Sequence, residues 1–328
     1  MAFVLDAEGA FYNAEFSHPM KTGYTLPGVR FAPRVRIIPV GRVSLELGYC
    51  GAYMFGDRRL MVSRPVATLA VYPVRGLSIA IGTLPDSRAH LLPEYIYTRQ
   101  RAWIAPPEMG VRIGYAGRYF RGETWVDWEE FIWRNADRQE AFLYGLMGEV
   151  HPIINSDLRA RLFVLARHQG GQIDTIDAPV VTSSQIGGEL VYRSIPLGSQ
   201  GWIVTVATSG VFSHDGAKNL PTGQANGFAL HPYIGLETHG AEVVLGYYMG
   251  YNFYTLRGEE YFASYSLWSE GRSELRRSVL TARGSYAYRF GEVASLLFTT
   301  DVYYDLRLGR TDWSAFLTLR TGIGVPIL

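Results

Sequence analysis

Apolar and polar positions alternate along most of this chain with a period of two. In 243–253, Val243, Leu245, Tyr247, Met249, Tyr251 and Phe253 share one phase, and neighbouring Glu242, Gly246, Tyr248, Gly250 and Asn252 share the other. In 294–306, Ala294, Leu296, Phe298, Thr300, Val302, Tyr304 and Leu306 alternate with Ser295, Thr299, Asp301, Tyr303 and Asp305. Such a period puts successive side chains on opposite faces of a strand. Soluble strands usually end after about five or six residues, whereas a tilted strand crossing hydrocarbon needs about nine to eleven. Long stretches with one phase free of charge therefore predict an all-β fold, a transmembrane up-and-down antiparallel barrel.

Breaks at Gly, Pro, Asp and Asn clusters divide the pattern into about sixteen strands, at 10–18, 28–40, 42–55, 64–73, 76–84, 108–117, 122–134, 138–150, 157–168, 186–197, 201–212, 227–238, 241–254, 277–290, 292–307 and 311–323. Fourteen remain if the Pro-containing and mixed segments do not pair. No linker interrupts them, so 1–328 reads as a single barrel domain. Short connections (Gly41-Arg42, Val74-Arg75, His151 to Ser156, Leu197 to Gln200, His239-Gly240, Gly291) alternate with long ones at 56–63, 85–107, 169–185, 213–226 and 255–276. Outer-membrane barrels carry short periplasmic turns and long external loops, which places both termini in the periplasm.

Aromatic residues gather where the apolar phase meets a connection: Tyr49, Tyr53 and Phe55, Tyr251 and Phe253, Tyr286, Tyr288 and Phe290, with Trp202 and Trp313 at strand starts. They predict two interfacial girdles, although aromatics favour strands in any setting. The segment 122–150 breaks the rule. Trp125, Asp127, Glu129, Phe131 and Trp133 share one phase and Val126, Trp128, Glu130 and Ile132 the other, so neither face is clean. An inward loop or a neighbouring protein would produce that mixture.

Composition sharpens the picture. No apolar run approaches the roughly 18 residues of a spanning helix. The start, Met1 to Asp6, has no basic region and no adequate apolar stretch, so any export signal is expected outside these residues. A single cysteine, Cys50, excludes an intramolecular disulfide and a cysteine-rich metal cluster. The net charge of +1 gives no argument for nucleic acid, but of 31 basic residues only Lys21 and Lys218 are lysine. Arginine's planar fork suits fixed pairing with carboxylates and phosphates inside a polar lumen, while genomic base composition is the plain alternative.

Gly23-Tyr-Thr-Leu-Pro-Gly28, His90-Leu-Leu-Pro-Glu94, and Asp127-Trp-Glu-Glu-Phe-Ile-Trp133 followed by Arg138-Gln-Glu-Ala-Phe142 resemble segments of porin-like, largely uncharacterised outer-membrane barrels of Bacteroidota. The resemblance covers scattered motifs over the first half. It implies a Gram-negative outer membrane with its lipid and lipopolysaccharide, a transport role or a place in a larger outer-membrane complex, and it transfers no ligand, cofactor or catalytic residue.

With the apolar phase outward, the expected pore lining is Arg34, Arg36, Glu46, Arg112, Arg159, Arg161, Glu237, Arg283, Arg289, Asp301, Asp305, Arg307 and Arg320, together with Asp127, Glu129 and His231. Facing arginines and carboxylates create a transverse field that selects hydrated solutes, unless they pair and cancel it. The 85–107 connection, through Arg88, Arg99 and Arg101, is the candidate constriction, or else an ordinary surface loop. Ser213-His214-Asp215 has the composition of a hydrolytic triad, but sequence neighbours in a strand point to opposite faces. Asp174 and Asp177, near Gly170 and Gly171, lack EF-hand spacing. No cofactor or metal is expected. The leading expectation is a porin-like channel for small hydrophilic, anionic solutes; an accessory barrel of a complex comes second and a lipid hydrolase third.

Overall fold

The computed structural model describes residues 1–84, 90–151, 157–171, 174–217, 223–266 and 272–327. Sixteen strands run in chain order: β1 Ala2–Glu15, β2 Tyr24–Val40, β3 Val43–Met54, β4 Val62–Val71, β5 Leu77–Thr83, β6 Met109–Ala116, β7 Phe120–Glu130, β8 Ala141–Val150, β9 Asp157–Gln169, β10 Val181–Arg193, β11 Ile203–His214, β12 Asn226–Thr238, β13 Ala241–Tyr251, β14 Arg276–Phe290, β15 Ala294–Asp305 and β16 Arg310–Pro326. Each pairs antiparallel with its sequence neighbour, and β1 closes on β16 from Ala2↔Pro326 to Glu15↔Trp313. A short helix, α1 (Arg101–Ile104), lies in the β5–β6 connection. The first strand begins at Ala2 rather than residue 10, because closure gives the N-terminal stretch a partner on both sides.

The predicted phases hold through the wall. Leu162, Ile186, Val243, Leu245 and Phe298 point outward and are exposed. A barrel wearing an apolar belt on its outside is solvated by hydrocarbon, and a closed wall satisfies its backbone there. Rings cap the belt at both ends: Tyr288 and Phe290 pack edge to face at 4.9 Å near one rim, and Phe228 stacks on Tyr251 at 5.9 Å near the other. Phe253 departs from its predicted phase. The strand stops at Tyr251, Asn252 takes φ 47°, and Phe253 turns inward to complete burial.

Among the described residues, 16–23, 90–108 and 252–266 enter the lumen at the loop end. Their Tyr95, Ile96, Tyr97, Phe253, Leu256, Tyr261 and Phe262 form one buried cluster with wall residues including Trp125, Leu143, Phe163, Tyr248 and Tyr303. This explains the mixed phase of 122–150. Trp125 is inward because a loop packs on it, and Phe131 and Trp133 lie beyond the end of β7 in an exposed connection.

Candidate functional site

The inward loops are fastened to one another and to the wall by polar groups. Thr98 N–H donates to Arg257 O at 2.9 Å and Glu259 N–H to Glu94 O at 2.9 Å, so the second and third loops pair inside the barrel. Tyr95 hydroxyl donates to Ser209 Oγ at 2.8 Å, and Gln185 Nε2 to Tyr254 O at 2.7 Å. Lys21 and Glu259 form a buried ion pair, and His18 and Arg277 both face Asp305. A pore of this strand number is wide enough for water unless loops fold inward, and here they do. Among the described residues, the cluster narrows the lumen at its loop end.

Below the plug two chambers remain. The larger, about 1010 Å³, is lined by Arg30, Arg34, Glu46, Cys50, Val66 and Glu108 among others. The smaller, about 520 Å³, is lined by His90, Tyr95, Arg99, His231, Arg283 and Asp301 among others. They meet at Glu8, Ala102 and Arg320, which line both.

Between them sits a set of buried ionisable groups around His90. His90 is placed by the turn at Pro93, where Ile96 and Tyr97 N–H both donate to Pro93 O, and by Leu91 at φ 52°. A non-glycine residue in that region costs about 1–3 kcal/mol and persists only where its surroundings hold it. The imidazole stacks flat on Trp125, with centroids 3.7 Å apart and planes 6° apart. Gly145 makes room for that indole, since a Cβ there would overlap it. His90 Nδ1 lies 2.7 Å from Glu123 Oε1 and Nε2 2.9 Å from Glu108 Oε2. Arg112 holds the other oxygen of Glu123, and Tyr97 hydroxyl donates to Glu108. Burial alone pushes the His90 pKa down, but the hydrogen bonds and charges of both carboxylates outweigh it and raise it to about 9. Both ring nitrogens therefore donate, and imidazolium plus Arg112 balances Glu108 plus Glu123.

That balance has a pH consequence. A histidine whose folded pKa lies above its unfolded value of about 6.5 contributes stability fully below pH 6.5 and loses it as pH rises through the folded value. Hydrogen exchange of the β5–β6 connection should therefore accelerate as pH passes about 9, beyond the intrinsic base-catalysed rise seen at strand amides. A connection equally protected at pH 7 and 10 contradicts the assignment.

Most of the charges expected in the lumen are paired. Arg34 faces Asp6 and Glu46, Arg36 Glu46, Arg112 Glu123, Arg159 Asp157, Arg161 Glu149 and Glu189, Arg283 Asp301 and Glu94, and Arg320 Glu8. Glu237 pairs with Arg193, Glu129 with Arg167 and Arg257, and Asp127 accepts Met109 N–H. Arg289 lines the larger chamber and His231 the smaller. Two positions need correction. Arg307 lies in the exposed β15–β16 turn outside the lumen wall, because β15 ends at Asp305. Asp305 points inward but is buried in the plug, where it accepts Arg307 and Leu308 N–H as well as facing His18. Of the constriction residues, Arg88 falls outside the described residues; Arg99 pairs with Glu94, and Arg101 lies over the Tyr97 ring at 5.4 Å. Residues 90–107 fold inward, and their described arginines pack with neighbouring groups rather than forming a free ring.

The hydrolytic motif is divided by the wall as strand geometry requires. Ser213 and Asp215 are buried inside, Asp215 accepting from Ser183, while His214 shares the outward phase of exposed Phe212 and bonds Asn226 at 2.7 Å. On the same face His168 approaches Thr182 Oγ1 at 2.8 Å and Gly170 O at 3.1 Å, and stacks on Phe142. This outward row borders neither chamber and fits the polar edge of a girdle. Asp174 Oδ1 accepts Ile176 N–H, and among the described residues no group of three or more His, Cys, Asp or Glu is arranged to hold a metal. Sequence reading missed His90 as a chemical centre. The signal for it, a histidine in a loop with carboxylates at 108 and 123, is only visible once the loop is folded inward.

The sequence matches the lipid A 3′-O-deacylase-type family over residues 1–326. No curated protein matches it. The fold is similar to that of Pseudomonas aeruginosa OprD, with TM-score 0.58 and 11% identity over 100% of this chain and 95% of that one. It is also similar to P. aeruginosa OccK8 (OprE), at TM-score 0.60 and 10% identity over 99% and 98%, and to a loop-deletion mutant of Vibrio cholerae OmpT, at 0.56 and 10% over 98% and 99%. At such identities the likeness is one of fold, that of closed outer-membrane barrels.

Proposed function

This chain belongs to the lipid A 3′-O-deacylase-type family, and from that premise we propose that it hydrolyses an acyl ester of outer-leaflet lipid, with His90 as the proton-transfer group. The observation that carries the reading is the buried His90 held between Glu108 and Glu123 beside an internal chamber, below loops that fold into the lumen. Glu123, fixed by Arg112 on the wall, orients the imidazole through Nδ1. Glu108 borders the larger chamber, so an entering ester and water displace its contact and expose Nε2. Once the imidazolium has given its Nε2 proton to solvent, as it does above pH about 9, the neutral Nε2 takes a proton from water as that water attacks the carbonyl and returns it to the leaving alcohol as the acyl C–O bond breaks. Arg101 lines the same chamber with its Nε buried and without a hydrogen-bond partner among the described residues, a donor suited to the oxyanion. Purified protein in detergent, given lipid A, should release free fatty acid detectable by mass spectrometry. No release by folded protein across the pH range, including above pH 9, ends the proposal. The loop pattern supports an orientation with short turns and both termini periplasmic and long connections outside.

Solute passage is the second reading, favoured by the two chambers and by the names of the structural neighbours, which are outer-membrane proteins. It requires the plug to open. Its charge test lies at Arg34 and Arg36, which with Asp6 and Glu46 make two charges of each sign. Arg34→Glu with Arg36→Glu converts the group to four carboxylates, so any conductance should shift toward cations in reversal potential. A plugged barrel gives no steps in either form, which favours the hydrolase, whereas an unchanged potential in a conducting variant removes these residues from the path.

A further inference from the structure

Cross-strand register sorts the lumen side chains into rows. Near the short-turn end, one row reads Arg289 on β14, Ser295 on β15, Arg320 on β16, Glu8 on β1 and Arg30 on β2. All five residues line the larger chamber. Elsewhere register sets an acid beside an arginine, as Asp301 beside Arg283 and Glu189 beside Arg161, but here a serine stands between two arginines. Glu8 engages Arg320 through Nε, at 3.2 Å, which leaves the terminal NH groups of Arg320 without a hydrogen-bond partner among the described residues. Arg30 is tied to the loop backbone, donating to Trp103 O at 3.1 Å and Ala105 O at 2.8 Å. Arg289 and Ser295 have no hydrogen-bond or ion-pair partner among the described residues.

Side chains directly opposed on one face of a sheet stand about 5 Å apart at Cβ, so Ser295 has an arginine on each flank. The Cα atoms of Arg289 and Arg320 are two strand spacings apart, about 10 Å, a gap their long side chains span from both sides. Two like charges in one row repel, and an anion seated between them reverses the sign of the interaction. A carboxylate has two oxygens and is matched by one guanidinium fork. A phosphate group has enough oxygens to accept from both forks and from Ser295 Oγ as well. The row is reached from water: Gly291, Glu292 and Val293 of the β14–β15 turn line the same chamber, and Arg289 is exposed. Glu292 on this rim is exposed too, and its charge opposes an entering anion. We infer that Arg289, Ser295 and Arg320 form a binding site for a phosphate group, carried by a soluble compound or by a lipid head group, at the turn-end mouth of the larger chamber. The site lies away from Glu108, which precedes β6 at its loop end, and it needs no hydrolysis to operate.

The test is calorimetric titration of the folded barrel in neutral detergent with inorganic phosphate, at constant ionic strength so that screening is fixed. Saturable binding is expected. Arg289→Gln removes a side chain that holds nothing else in place, so the barrel should fold as before and bind phosphate about tenfold or more weakly. Ser295→Ala should weaken binding less, and Glu292→Gln should strengthen it. The control is Arg159→Gln, which removes the same charge at the same end of the barrel from a residue that lines neither chamber, and it should leave the affinity unchanged. Acetate should bind about tenfold or more weakly than phosphate, since it engages one fork. Glycerol 3-phosphate and a short-chain phosphatidylglycerol then compete separately with phosphate. Displacement by the first alone assigns a soluble phosphate ester, displacement by the second a lipid head group, and displacement by neither inorganic phosphate itself. Absence of saturable binding, equal weakening by Arg289→Gln and Arg159→Gln, or acetate binding as tight as phosphate overturns the site.

Discussion

His90→Gln is expected to lower ester hydrolysis by about 10²–10⁴-fold, the usual contribution of a positioned acid–base group. Glutamine keeps a polar side chain in the slot between Glu123 and Glu108 but cannot accept and return the proton. The wild-type rate should climb as pH rises through about 9, where the imidazolium between two carboxylates becomes neutral. Glu123→Gln removes the charge that orients Nδ1 and raises the pKa, so it should lower the rate and move the remaining alkaline limb toward lower pH. Folding is checked by heat-modifiable migration on gels. A fully active His90→Gln variant removes His90 from the chemistry, and His168 beside Thr182 then becomes the group to substitute next.

Arg277→Ala should release the plug. Arg277 is fully buried on β14, donates to Tyr261 O at 2.9 Å, lies over the Tyr261 ring at 5.3 Å and faces Asp305 at 3.5 Å. Removing one member of a buried pair costs about 3–5 kcal/mol, largely because the remaining charge is stranded. Among the described residues Asp305 would keep His18 and backbone donors, and the β13–β14 connection would lose one of its buried ties to the wall. The barrel ladders do not pass through this residue's side chain, so the loss should appear locally, as proteolysis of that connection and as conductance steps absent from the wild type. Arg277→Lys keeps the charge without the planar fork and should fall between them. Unchanged protection and continued electrical silence in Arg277→Ala show that the aromatic cluster alone holds the plug.

The wall was legible in the sequence because a strand's side-chain period is local. Val243, Leu245 and Met249, or Leu296, Phe298 and Val302, point outward for the reason they alternate, and the short and long connections fell in the right order. Errors came where tertiary contacts override that period. Phe253 continues the alternation by spacing, yet the chain turns at Asn252 and buries it in the plug. Asp305 and Arg307 look like lumen charges, yet one is buried by His18 and Arg277 and the other lies in a turn.

Charge identity was equally plain and charge effect was not. The excess of arginine suggested a positive pore, but pairing depends on cross-strand register, as between Arg283 and Asp301 or Arg36 and Glu46, and register follows from closure of the whole sheet. The sequence by itself determined a long-stranded barrel with an apolar outside and a charged inside, since both follow from nearest-neighbour alternation. Only the tertiary structure decided that loops fold into the lumen, that His90 lies between carboxylates 18 and 33 residues away, and that β5 and β6 are short. Those outcomes depend on contacts between distant segments, which no local period encodes.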